Sequence, residues 1–216
     1  LILILIIAVS ALTIWFLYKR KKIKAKYKIN DEKGIDILQE ITLGNAKQWI
    51  WMRGVNKNNP LLLFVHGGPG KAEMSFVYPF QTILEENFIV VHWDQIGSGK
   101  SFNSNIPSEA INVEQILSDT KELSDFLLKK FNKKKLFLLG HSWGSALGMW
   151  AVKRYPQLFH AYIGMGQVVN FVESQRLNFD YCIKTAKQQR NTTALKQLNN
   201  ISNPPYGKDL KKSATL

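Results

Sequence analysis

A single cysteine, Cys182, excludes an intramolecular disulfide, so the fold must rest on a packed core, and the redox compartment stays open. Acidic residues are scarce: 16 Asp and Glu stand against 29 Lys and Arg, a net charge of +13. The excess is concentrated, because seven of those basic residues fall between Lys19 and Lys28, where no acidic residue stands. What remains is too thinly spread for a nucleic-acid surface, and no RNA- or DNA-binding motif is present. Lys133-Lys134-Lys135 reads as a solvated turn before a strand. Histidine is rarer still, with only His66, His92, His141 and His160. No internal repeat, low-complexity segment, cofactor motif or metal-ligand pattern is visible.

What is plentiful is apolar sequence. At 45% hydrophobic, 216 residues suit one domain with a real core. Residues 1–18 contain no charge, and as a helix they span roughly 27 Å against a bilayer core of ~30 Å. Trp15 and Tyr18 sit where aromatic belts form, and Lys19-Arg20-Lys21-Lys22 follow at once. A secretory signal peptide is the alternative, but the positive charge lies after the apolar run and the Ala8-Val9-Ser10-Ala11 site falls inside it. The expectation is an uncleaved, single-pass anchor at 1–18, with the globular part on the cytoplasmic side. Residues 19–36 read as a charged linker without helical or strand periodicity.

From Ile37 the pattern changes. Ile37–Leu43 and Gln48–Arg53 look like strands joined at Gly44-Asn45. The apolar runs Leu61–Val65, Phe88–Trp93, Leu136–Leu139 and Ala161–Met165 read as further strands, the first fully buried. Helices are expected over Phe76–Glu86, after an Asn112/Gln115 capping box, and from the end of GHSWGS to Tyr155. The second carries an apolar stripe of Val113, Ile116, Leu117, Thr120, Leu123, Leu127 and Phe131. Buried strands alternating with helices predict an α/β fold, a mostly parallel sheet flanked by helices.

The chemistry-bearing stretch is Gly140-His141-Ser142-Trp143-Gly144, which is G-x-S-x-G between a strand and a helix. A serine on so tight a turn needs small residues two before and two after it, so that strand and helix can approach. Ser142 Oγ would stand above the sheet, with the Trp143 N–H aimed where an oxyanion would form. Two further motifs follow strands. In His66-Gly67-Gly68-Pro69-Gly70 the glycines let the backbone approach a ligand, and an N–H of Gly67 or Gly68 can be the second oxyanion donor. Asp94-Gln95-Ile96-Gly97-Ser98-Gly99-Lys100-Ser101 resembles a phosphate loop, but Asp94 stands where that motif needs glycine. It reads as a loop shaping the site.

In this order and spacing, HGGPG, DQxGxGxS and GxSWGS resemble the proline iminopeptidase branch of the α/β-hydrolase superfamily, over about Ile41 to Gly166. The resemblance implies a serine hydrolase that releases amino-terminal residues, proline preferred, from peptides. It implies Ser142 as nucleophile, Trp143 with Gly67 or Gly68 as oxyanion hole, and His66, Pro69, Gly70, Asp94, Gln95 and Gly97 in site-shaping loops. Ile96 stands where the family usually has arginine. Serine at the elbow argues against the related dehalogenases and epoxide hydrolases, which carry aspartate there.

In this fold the acid and then the base follow the serine along the chain. After Ser142 the sole histidine is His160, and no carboxylate lies between the two. Glu173, Asp180 and Asp209 have no histidine after them. His66, His92 and His141 read as structural, so no base is assignable. The resemblance further implies a core over 37–169 holding the first six strands and the beginning of a helical cap over 170–216. Helical segments are expected at Phe171–Lys187 and Thr193–Leu198, then a turn at Asn203–Gly207. The chain thus reads as the front part of a hydrolase. An esterase or other acyl hydrolase, or an inactive membrane-tethered remnant or binding protein, are the alternatives.

Overall fold

The computed structural model describes residues 2–29, 32–201 and 204, with only the backbone of residues 2–4, 8 and 24. It divides into two compact units, 1–167 and 168–216.

The first unit is built on a six-stranded sheet in the order β1-β2-β4-β3-β5-β6. Strands β1 (Ile35–Leu43) and β2 (Ala46–Gly54) form an antiparallel hairpin, turned at Gly44 with φ 55°. β2 pairs antiparallel with β4 (Ile89–Asp94). β4, β3 (Leu61–Val65), β5 (Leu136–His141) and β6 (Phe159–Met165) are mutually parallel. Every residue of β3 is buried, as its unbroken apolar run predicts. Because side chains alternate across a strand, Leu61, Leu63 and Val65 join the main core, while Leu62 and Phe64 face the other way with Leu139.

The main core lies under α3 (Val113–Lys130) and α4 (Trp143–Arg154). Of the stripe expected on α3, Ile116, Leu117, Thr120, Leu123 and Leu127 are buried, with Val113 and Phe131 at its margins. The capping box is half formed. Asn112 Oδ1 accepts from Gln115 N–H at 3.0 Å, but the Gln115 side chain turns to Asp119 instead. On the opposite face α2 (Tyr78–Glu85) contributes Leu84.

Arg53, 1% exposed, ties β2 to its surroundings. Its Nε donates to Glu85 on α2 at 2.6 Å, and its other nitrogens donate to Asp36 on β1 and to the Tyr27 carbonyl at 2.5 Å. Burial works against the charge, but the hydrogen bond and Coulomb attraction of Glu85, with Asp36, more than offset it and raise the pKa.

Helix α1 spans Ile2–Lys26, so the linker expected over 19–36 is helical for its first eight residues. Lys, Arg and Ala are good helix formers, and clustered charge hides periodicity without opposing a helical backbone. Lys19 lies over the Trp15 ring four residues earlier at 5.6 Å. From Leu5 to Tyr18 the large apolar side chains of α1 are exposed. Among the described residues no helix is long and apolar enough to cross a membrane, so the expected span is not supported. The side chains of residues 1–4 and 8, part of that expectation, lie outside the described set.

The second unit contains α5 (Phe171–Gln188) and α6 (Thr192–Asn200), capped by Asn170 and Asn191. They bury Phe179, Ala186, Leu198 and Ile201 against one another. The turn expected at Asn203–Gly207 falls, except for Pro204, outside the described residues.

Candidate active site

Ser142 joins β5 to α4 with φ 52° and ψ −118°, a conformation that costs a non-glycine residue roughly 1–3 kcal/mol. Its N–H donates to Met165 O at the end of β6 (2.8 Å), and its carbonyl accepts from Ser145 N–H (2.9 Å) and the Ser145 hydroxyl (2.5 Å). The flanking glycines are required by contact. A Cβ on Gly140 would fall on Gly144 O, and one on Gly144 would fall on Val65 O. Trp143 opens α4, where first-turn N–H groups lack intrahelical partners. Its indole packs edge-on to Trp150, with a buried Nε1 that has no partner among the described residues.

The loop after β3 runs beside the serine. A Cβ on Gly67 would lie 3.1 Å from Ser142 Cβ and 3.5 Å from His141 Nδ1. The two candidate oxyanion donors differ. Gly67 is buried and its N–H points at Glu73 Oε1, at 3.4 Å, whereas Gly68 is exposed at φ 118° with Pro69 and Gly70 beyond it.

His66 holds this loop to the next one. Its Nε2 accepts from Gln95 N–H (3.2 Å) and lies 3.1 Å from Ser98 Oγ, which leaves Nδ1 as donor to Gly67 O (2.8 Å). The Gln95 amide donates to His66 O (3.2 Å). Burial pushes the His66 pKa down, favouring this neutral form. Asp94 Oδ2 accepts from Lys100 N–H (2.8 Å), while the Ser101 hydroxyl donates to Asp94 O (2.6 Å). Gly97 turns at φ 77°, and Ile96 is buried in the core. This loop is thus tied to the sheet end by its own residues. Burial raises the Asp94 pKa, and its Oδ1 is buried without a partner among the described residues.

The remaining histidines are dispersed. His92 is 3% exposed within β4, tilted on Phe64 at 4.7 Å, its Nε2 without a partner among the described residues and its pKa lowered by burial to about 3. His160 packs tilted against Phe137 at 5.2 Å. It lies five residues before Met165 on β6, roughly 16 Å from the Ser142 end of that strand at ~3.3 Å per residue. His141 is the exception to the structural reading of the three upstream histidines. Half-exposed at 39%, it faces the same cavity as Ser142, and its Nδ1 meets Glu73 Oε1 at 2.7 Å.

That cavity, about 680 Å³, is lined by apolar side chains including Phe64, Val77, Phe80 and Leu139, with Glu73, Lys71, His141 and Ser142 among the polar ones. Glu73 was not among the expected site residues. It belongs to no motif, and its partner His141 lies 68 positions away.

Residues 56–200 match the family Hydrolase_4, described as serine aminopeptidase, S33. The chain is 38% identical over 183 residues to the probable aminopeptidase YbaC of Bacillus subtilis, covering 84% of this chain and 57% of that protein. It is 28% identical to a proline iminopeptidase of Saccharolobus solfataricus, covering 69% of this chain and 46% of the relative. Among solved structures, the proline iminopeptidase-related protein TTHA1809 from Thermus thermophilus shares the fold with a TM-score of 0.59, at 24% identity, over 74% of this chain and 59% of that one. The chain thus spans about half the length of the curated relatives it matches.

Proposed function

Because the chain belongs to the serine aminopeptidase S33 family of α/β-hydrolases, we propose that it carries the nucleophile of a peptidase that removes amino-terminal residues, proline preferred, through an acyl-enzyme. The observation that carries this reading is the Ser142 backbone, held at φ 52° between strand and helix and facing an open cavity. Ser142 Oγ attacks the first carbonyl carbon of the peptide. The developing oxyanion takes the N–H of Trp143 and that of Gly68, with Gly67 the other candidate. Collapse expels the amine of the second residue and leaves an ester on Oγ, which water then hydrolyses.

The proton of the serine needs an acceptor, which later protonates the leaving amine. His66 and His92 are buried in other contacts, His160 is at the far end of β6, and His141 has its Nδ1 engaged by Glu73, so this reading places the acid and base outside these 216 residues. The substrate is a peptide with a free amino terminus, and no cofactor takes part. The test uses a protein that carries the complete hydrolase sequence. It should cleave amino-acid arylamides with free amino termini, proline first, faster than nitrophenyl esters relative to each uncatalysed rate, and Ser142→Ala should abolish both. Full activity on N-acetylated arylamides would overturn the aminopeptidase reading. It would leave a general acyl hydrolase, which the apolar cavity lining favours as second choice.

Location is a separate proposal. The exposed apolar side chains of α1 and the basic run Lys19–Lys22 favour attachment to a membrane with the hydrolase part on the cytoplasmic side.

A further inference from the structure

Glu73 is an uncommon residue to find in a mostly apolar cavity. Its side chain is only 6% exposed, and burying a carboxylate is costly unless it is paired. One oxygen, Oε1, is engaged by His141 Nδ1 at 2.7 Å and by Gly67 N–H at 3.4 Å. Among the described residues nothing hydrogen-bonds to the other oxygen, Oε2, and no cation forms an ion pair with it. Lys71 lines the same cavity but is exposed and makes no ion pair with Glu73. A carboxylate is therefore held in place by the loop that borders Ser142, with acceptor capacity to spare.

The geometry of amino-terminal cleavage says where an ammonium must sit. The α-nitrogen is two bonds from the attacked carbonyl carbon, about 2.5 Å away by standard backbone dimensions. A group that reads the free amine must lie beside the oxyanion donors. Glu73 does so, since it touches Gly67, whose Cβ position would be 3.1 Å from Ser142 Cβ. We propose that Glu73, oriented by His141, is a specificity-determining residue that accepts the α-ammonium of the substrate. This rests on the aminopeptidase reading and names the group that selects its substrate class. A charged ammonium gains a charge-assisted hydrogen bond there. An N-acylated ligand brings no charge and leaves Oε2 desolvated without a donor, which is a penalty and not merely a missing contact.

The test is calorimetric binding of L-prolinamide and N-acetyl-L-prolinamide to the 216-residue chain, which needs no turnover. The unsubstituted chain should bind prolinamide at least tenfold more tightly. Glu73→Gln should erase most of that preference by weakening prolinamide alone, and Glu73→Asp, which keeps the charge, should restore part of it. Thermal melts of each variant establish that it is folded. Equal weakening of both ligands, no change in either, or no preference in the unsubstituted chain would each overturn the proposal. Failure of the serine chemistry reads differently. Glu73-dependent binding without any Ser142-dependent hydrolysis would sink the peptidase and leave the amine site standing. Hydrolysis of free-amine substrates unchanged by Glu73→Gln would do the reverse.

Discussion

A methyl group on Gly144 would fall on the carbonyl oxygen of Val65, and one on Gly140 on the carbonyl of Gly144. Backbone cannot step aside as a flexible side chain can, so overpacking here should exceed the usual 1–3 kcal/mol. Gly144→Ala and Gly140→Ala are each expected to cost more than ~3 kcal/mol, read as a large drop in the urea midpoint or loss of folded protein. Gly70→Ala is the control. Its Cβ would meet nothing, so only φ 80° opposes it, at about 1–2 kcal/mol. Similar costs at all three sites would disprove the packing account of the elbow. The same scale governs Ser142 itself. If the base lies outside these residues, as proposed above, its hydroxyl is a neutral alcohol, and losing triad function costs on the order of 10⁴–10⁶ in rate. These 216 residues should therefore show no labelling of Ser142 by a fluorophosphonate. Stoichiometric labelling that His141→Ala abolishes would identify His141 as a base. G-x-S-x-G was legible because its demands are local: tight turn, small flanks, strand before and helix after. Glu73 was not, because its meaning comes from meeting His141 across 68 residues.

At the scale of elements, Arg53 joins β2 to α2, β1 and the segment after α1. Removing one partner of a buried pair strands the other charge. Arg53→Leu leaves Glu85 buried at 4% side-chain exposure and should cost about 3–5 kcal/mol by chemical denaturation. A loss below 1 kcal/mol would mean that water reaches Glu85. His92 on β4 makes the opposite case. Its Nε2 is buried without a partner among the described residues, so His92→Phe should be neutral or stabilising by about 1 kcal/mol at pH 7. It should also alter the response to acid. The folded pKa of about 3 lies below the ordinary 6.5, so the unfolded chain binds the extra proton between those values. The contribution of His92 is full above pH 6.5 and is lost as pH falls towards 3. His66 acts in the same sense, whereas burial raises the pKa of Asp94 and Asp119 and works against it. His92→Phe should therefore flatten the fall in urea midpoint between pH 7 and 4.5, and an unchanged slope would refute the assignment. Strands were easy to place in the sequence because apolar runs such as Leu61–Val65 are buried on both faces. The end of α1 was not, because Lys and Arg extend a helix without marking a face.

At the scale of the whole molecule two apolar surfaces compete to set its behaviour in solution. One is α1, exposed from Leu5 to Tyr18. The other is β6, which among the described residues pairs only with β5 and forms an edge of the sheet, with Ile163 and Met165 each 44% exposed. An exposed apolar edge strand invites pairing with another chain, and lysine placed on it is a common guard. The two surfaces make separable demands. If α1 attaches the protein to membranes, the intact chain should float with lipid vesicles in a density gradient, and deleting residues 1–26 should release it. The released protein should then self-associate through β6, appearing at high mass in size-exclusion chromatography, and Ile163→Lys should shift it towards monomer. If the intact chain does not float with the vesicles, membrane attachment is wrong. If Ile163→Lys leaves the high-mass species unchanged, association does not run through the β6 edge. The two variants together assign each behaviour to its own surface, since the deletion leaves β6 intact and Ile163→Lys leaves α1 intact.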